Sequence, residues 1–290
     1  MSPSTGVALS LETKEFSYRF FPKISPIGGV DTTPEDPMAN VSTTTGAPRV
    51  RKTPFLVELY RSAVGKKYAM AITGVFLILF ALGHMIGNLK MYLGAMPATS
   101  EYAYHIDEYG EFLRRIGSPI LPNHVLLWIS RIGLIGAFAL HMHAAFSLTI
   151  MNRKARTVNY ASKRDYIAAN YAGRTMRVSG VIVFLYLIFH LADLTWGASP
   201  AASDSWSRGR VYANIDHSLS RPFVAIIYIV ANLALGTHLF HGAWSFFQSL
   251  GLNNPKFNKL KRLFAMGISG LIVAGNVSFP VAVLAGIVKI

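Results

Sequence analysis

The sequence of 290 residues contains no cysteine. The chain therefore forms no disulfide and cannot hold an iron–sulfur cluster through thiolates of its own. Charge is scarce as well: Asp, Glu, Lys and Arg make up 14%, where a soluble chain carries about 25%. So few charges cannot clothe a water-facing surface, which argues against an ordinary soluble fold. The first 53 residues lack the apolar h-region of a cleavable signal peptide and are polar, with the Thr-, Pro- and Ser-rich run "DTTPEDPMANVSTTTGAP". They read as an irregular N-terminal tail, within which Met38 offers an alternative start.

What the chain does have is hydrophobic residues, 52% of the total, with a mean hydropathy of +0.36. They gather into five runs, at roughly 68–93, 124–150, 178–197, 222–249 and 263–288. Each run reaches the length of about 20 residues that crosses a bilayer as a helix, and only a helix satisfies the backbone of such a segment internally. The expected fold is all-α: a polytopic membrane protein with five transmembrane helices in a bundle over residues 54–290.

A net charge of +14 would suit nucleic acid, but its placement excludes that reading. Basic residues collect before the first span (Arg49, Arg51, Lys52, Arg61, Lys66, Lys67), between the second and third (Arg153, Lys154, Arg156, Lys163, Arg164, Arg174, Arg177), and between the fourth and fifth (Lys256, Lys259, Lys261, Arg262). The other two loops are mixed, with Glu101, Asp107, Glu108, Glu111, Asp204 and Asp216 beside a few arginines. This is the positive-inside alternation. It predicts a cytoplasmic N-terminus, a C-terminus outside, and a multi-pass protein of the cell (inner) membrane.

Of the nine histidines, several fall inside the spans: His84, His141, His143, His190, His238 and His241. An ionisable residue at that depth is a functional candidate. For any one of them an interhelical hydrogen bond is the plainer explanation. Four spans each carrying one shifts the balance toward metal, since neutral imidazole is a common ligand and haem iron takes axial histidine. Depth gives a test. At 1.5 Å rise per residue, His84 and His190 lie about 24 and 18 Å from the cytoplasmic ends of their spans, and His141 and His238 about 14 and 16 Å. They divide into an outer pair, His84 with His190, and an inner pair, His141 with His238, each joining two helices. His141 and His143 stand about 200° apart on a helix, so only one faces a given partner; His238 and His241 share a face. Small neighbours (Ala81 and Gly87 near His84; Ala137, Ala144 and Ala145 near His141) leave room for a porphyrin or for close helix packing.

The motifs "GHMIGNLKMYLG", "YGEFLRRIGSPILP", "ALHMHAAFSLT", "RVSGVIVFLYLIFHLADLTWG" and "THLFHGAWSFFQSLG" occur in this order, one per span or loop. In them the chain, over roughly 60–288, resembles the cytochrome b membrane-anchor subunit of succinate dehydrogenase and fumarate reductase. The similarity is to the single-subunit, five-helix form, and the second motif is most like the actinobacterial branch. The resemblance implies an anchor for a flavoprotein subunit, carrying FAD and interconverting succinate and fumarate, and for an iron–sulfur subunit. It also implies two b haems and electron exchange with menaquinone or another quinone. Carried over motif by motif, the axial ligands are His84, His141, His190 and His238; reading the second-span segment as "HAAF" would favour His143, and His241 is the alternative in the fourth span. The chain would be the non-flavin subunit of the enzyme, with no catalytic residue for the dicarboxylate. Lipid and further copies of the complex are compatible partners; nucleic acid is not.

Other polar residues receive expectations of their own. Asp193, three residues after His190, either bonds a ring nitrogen or cap, or exchanges protons with a quinone. Tyr109 and Glu111 suit a quinone site in the outer loop, where quinone chemistry needs a proton donor or acceptor, or are simply solvated there; His241 is a further candidate for such a role. Arg177 and Arg131 suit haem propionates. Asn88, Asn232 and Asn276 read as interhelical hydrogen bonders, and Trp128, Trp196 and Trp244 as interfacial aromatics. "RSAVGKK" lacks the first glycine and terminal Ser/Thr of a phosphate loop. Two competing functions stand beside the dihaem anchor. One is a haem-free anchor in which a histidine pair serves a cluster whose thiolates come from a partner. The other is a proton-coupled transporter, against which the five spans and the lack of an evident internal repeat both count.

Overall fold

The computed structural model describes residues 53–155, 167–252 and 254–289, with no side-chain description for 167–174. The N-terminal tail up to residue 52, with Met38, and the basic loop residues Arg156, Lys163 and Arg164 lie outside that description. Among the described residues the regular structure is helical, with a single isolated β-bridge between Ala95 and Tyr104. The helices are α1 (Phe55–Arg61), α2 (Ala63–Asn88), α3 (His105–Arg115), α4 (Val125–Lys154), α5 (Ile167–His190), α6 (Val211–Leu219), α7 (Pro222–Ser249) and α8 (Asn258–Leu284).

Five segments are long and apolar enough to cross a membrane: Ala63–Leu93, Val125–Lys154, Thr175–Trp196, Pro222–Ser249 and Pro255–Leu284. This is a multi-pass membrane protein. The first, second and fifth helices run several residues past the apolar runs, because ordinary polar residues continue a helix once it is nucleated. Their outward surfaces carry large apolar side chains, such as Ile72, Phe76 and Leu79 on α2 and Ile129, Ile132 and Ile135 on α4. Such all-round hydrophobicity is what a lipid-facing helix needs.

The segment "RSAVGKK" forms the corner between α1 and α2. Ser62 Oγ accepts the Gly65 N–H at 2.9 Å and caps α2, while Lys66 Nζ donates to the carbonyls of Tyr60 and Arg61 at 3.0 Å each. Gly65 lies so close to the Leu59 carbonyl that no side chain fits there.

Helix α2 packs on α4, α7 and α8, and α7 packs on α5 and α8. Close approaches explain two glycines: the Met85 side chain lies where a side chain on Gly275 would go, and Val273 does the same at Gly236. Asn276 donates to Asn232 Oδ1 at 2.9 Å, tying α8 to α7 as the interhelical reading expected. By contrast, among the described residues α4 and α5 meet only through isolated contacts, such as the Phe138 ring on Phe184 at 6.1 Å.

The short helices α3 and α6 cap one end of the bundle. Asp107 accepts the Tyr212 N–H at 3.0 Å, Tyr104 stacks on Tyr212 at 3.8 Å, and the Tyr212 hydroxyl donates to the Lys289 carbonyl. A buried cluster including Met91, Ile106, Leu219 and Phe279 fills the space beneath.

Candidate functional site

The histidines of four helices meet in two pairs. His84 on α2 faces His190 at the end of α5, with ring centroids 6.0 Å apart and planes at 87°. His141 on α4 faces His238 on α7, with centroids 6.4 Å apart and planes at 66°. These are the two pairs that depth arithmetic predicts. Their neighbours go elsewhere: the Tyr60 hydroxyl bonds His143 Nδ1 at 2.6 Å and its ring stacks on the imidazole, while His241 Nε2 lies 3.2 Å from Thr175 Oγ1.

The spacing tests what a pair can hold. A metal–imidazole bond is about 2 Å and a ring centre lies roughly 1 Å behind its nitrogen, so two rings in trans on one ion have centroids about 6 Å apart. Two rings on a tetrahedral iron would have centroids nearer about 5 Å on the same arithmetic. The observed separations, 6.0 and 6.4 Å, are compatible with one metal ion between the rings of each pair.

Hydrogen bonds set the tautomers, assigned here from the network. Thr73 Oγ1 donates to the Ala69 carbonyl at 2.7 Å, so toward His141 Nδ1, 3.1 Å away, it acts as acceptor. Ser179 Oγ donates to the Met176 carbonyl at 3.2 Å and faces His238 Nδ1 at 3.5 Å. The Tyr228 hydroxyl donates to Asp193 at 2.8 Å and faces His190 Nδ1 at 3.4 Å. In each case the ring carries its proton on Nδ1 and keeps the Nε2 lone pair free, the form a metal requires. His141 and His238, both in that form, cannot hydrogen-bond one another through Nε2. Each ring is instead bonded through Nδ1 to a neighbouring helix, His141 on α4 to Thr73 on α2 and His238 on α7 to Ser179 on α5, which is the interhelical bond the sequence allows for each histidine.

Two helices build these contacts with the same short pattern, which inspection of the sequence alone missed. Met70, Thr73, Gly74, Val75 and His84 on α2 correspond to Met176, Ser179, Gly180, Val181 and His190 on α5, with ten residues from glycine to histidine in both. The bare faces of Gly74 and Gly180 let the His141 and His238 rings lie against the helix, with Cε1 at 3.4 Å from where a Cβ would sit. Each helix thus supplies one histidine and a seat for a histidine of another helix. Ten residues of helix also place the two sites about 15 Å apart.

At the α3–α6 end, a cavity of about 800 Å³ opens beside His84 and His190. Arg114, Arg131, Arg208 and His124 bring cationic or polar groups to its wall, and Leu127, Trp128, Leu194 and Trp206 bring apolar surface. Arg131 lines this wall, and so do Arg114 and Arg208, which were not singled out from sequence. Arg177 is exposed on α5 and is not part of this wall. Asn88 lines the cavity, and Gly87 beside it is filled by the Tyr109 ring of α3. Glu111 pairs with Arg114 at 2.8 Å and Arg115 at 3.3 Å; the Arg114 hydrogen bond holds its carboxyl below the usual range.

Asp193 is fully buried. It accepts from the Ser218 hydroxyl, from Tyr228, and from Arg221 Nη2 at 3.0 Å. Both oxygens are engaged within the protein, and the link to His190 runs through Tyr228.

No family model matches the chain, and neither does any curated protein or any solved structure. The site must be read from its own geometry. Among the described residues no three His, Asp or Glu side chains gather as a metal cage. A pair of imidazoles alone under-coordinates a bare transition metal, which normally takes four or more ligands. Haem removes that shortage by bringing four nitrogens of its own. The facing pairs fit that group, as do the Nε2 lone pairs of His141, His190 and His238 and, beside His84 and His190, the cavity with apolar walls and arginines.

Proposed function

We propose that the chain is the dihaem membrane anchor of a succinate:quinone oxidoreductase, passing electrons between an iron–sulfur subunit and a quinone in the membrane. The observation that carries this reading is the two pairs of facing imidazoles, each pair joining two helices, with room between the rings for one metal ion. Two b haems, one per pair, would supply one-electron carriers at two depths of the bilayer. The motifs that resemble succinate dehydrogenase and fumarate reductase anchors supply the identity of the partners: a flavoprotein subunit doing the dicarboxylate chemistry and an iron–sulfur subunit.

The chain's own residues have defined tasks in this reading. His84 and His190 would hold the first group, and His141 and His238 the second. Thr73 and Ser179 fix the tautomers of the second pair, and Gly74 and Gly180 give its rings space. Arg131, with Arg114 and Arg208, would meet propionates in the cavity by the planar fork suited to carboxylates. The α1 side, rich in basic residues, is assigned to the cytoplasm and to the partner subunits, and the α3–α6 end to the outer face of the cell membrane. Quinone exchange at that outer face would involve α3, which carries Tyr109 and Glu111.

The test is a dithionite-reduced minus oxidised spectrum of the purified complex with haem quantified as the pyridine haemochrome. Two b haems per chain are expected. One haem would give a pair to another centre, and none, with no requirement for soluble subunits, would sink the reading in favour of a transporter.

A further inference from the structure

The two histidine pairs differ in what stands behind them. Behind His141 and His238 stand neutral hydroxyls, Thr73 and Ser179. Behind His190 stands Tyr228, and behind Tyr228 a carboxylate. The Tyr228 hydroxyl, in an almost fully buried side chain, donates to Asp193 at 2.8 Å and presents its oxygen to His190 Nδ1 at 3.4 Å. Asp193 is anchored from the other side by Ser218 and by Arg221, whose Nη2 also donates to the Ala201 carbonyl at 2.7 Å.

We propose that Tyr228 is a positioning residue that couples the buried Asp193 carboxylate to His190 and lowers the reduction potential of the haem held by His84 and His190. The inference rests on the dihaem reading and specifies one residue's role within it. A hydroxyl polarised by a carboxylate is a stronger acceptor for the imidazole Nδ1–H. A better acceptor there makes Nε2 a more electron-donating ligand, as outer-sphere carboxylates do for ligating histidines. Electron donation favours the oxidised iron over the reduced one, so the potential falls. Burial strengthens the effect, because a charge one hydrogen bond away is poorly screened in a low-dielectric interior. Arg221 reduces it without cancelling it, since Tyr228 and Arg221 bond opposite oxygens of Asp193. The π-helical turn Leu191–Trp196 that follows His190 carries Asp193, and so places it beside the α7 tyrosine.

The experiment is a potentiometric titration of the purified complex, following the haem α-band and the low-spin EPR signals, for wild type, Tyr228→Phe and Asp193→Asn. Tyr228→Phe keeps the ring contacts with Tyr186, Phe189 and His190 and removes only the hydroxyl. The midpoint of one haem should rise, by about 59 mV for each tenfold change in the one-electron equilibrium, while the other stays in place. Asp193→Asn should move the same haem in the same direction. Two haems whose midpoints and EPR signals are unchanged in Tyr228→Phe would overturn the coupling and leave the dihaem reading intact. A wild-type complex without haem would overturn both.

Discussion

At the scale of single residues, the competition between neighbouring histidines is decided by what else each one touches. His141 and His143 are both on α4, yet one faces His238 and the other the Tyr60 hydroxyl. His141→Ala should therefore leave one haem per chain by pyridine haemochrome, while His143→Ala leaves two; the reverse pattern would reassign the ligand. The seats are equally specific. Gly74→Leu adds a side chain where the His141 ring lies, with no flexible tip to yield, and overpacking of this kind costs about 1–3 kcal/mol. The same spectrum should lose the haem of the second pair and keep the first. Retention of both would mean that Gly74 serves helix packing only.

At the scale of elements, the short helices α3 and α6 hold one end of the bundle through Asp107. Partial burial pushes the Asp107 carboxyl up, against the opposing pull of the backbone N–H groups of Tyr212 and Val211 and of Arg210. A carboxyl with a raised folded value contributes its full stability below the unfolded pKa of about 3.9 and loses it as pH rises through the folded value. Asp107→Asn keeps an oxygen for the Tyr212 N–H and removes that loss. It should match or exceed wild type in thermal stability at neutral pH, with the gap closing below about pH 4. A variant less stable than wild type at neutral pH, with the deficit vanishing toward acid, would show instead that the ionised carboxylate is the stabilising form. The α2–α3 contact is as tight: the Tyr109 ring fills the space over Gly87. Gly87→Val should displace it, and faster amide exchange across α3 with α7 unchanged is the signature.

At the scale of the whole molecule, the distribution of charge predicts which end faces the cytoplasm. Because the chain has no cysteine, single introduced cysteines report orientation without background. Ser205→Cys, exposed at the α3–α6 end, should react with a membrane-impermeant maleimide in intact cells. Lys256→Cys, exposed at the other end, should react only after permeabilisation. Inverted labelling would reverse the assigned topology and, with it, the surface offered to the iron–sulfur subunit.

Much of this architecture follows from chain chemistry alone. Five apolar runs without water to bond their backbones have to be helices, so the span number and approximate limits need no tertiary information. Fixed rise per residue likewise sorts His84 with His190 and His141 with His238 by depth. Azimuth is another matter. Which face of α4 turns inward, and hence His141 rather than His143, depends on packing against α2. The α3 and α6 helices are short and amphipathic and draw their stability from contacts between distant segments, such as Asp107 with Tyr212. Asp193 looks from sequence like a group near a surface; its burial comes from α6 and α7 folding over the turn after His190. The repeated Met, Ser/Thr, Gly and His pattern was present in the sequence all along. Its meaning emerges only when each glycine is seen to seat a histidine from another helix, a relation between segments that no local period encodes.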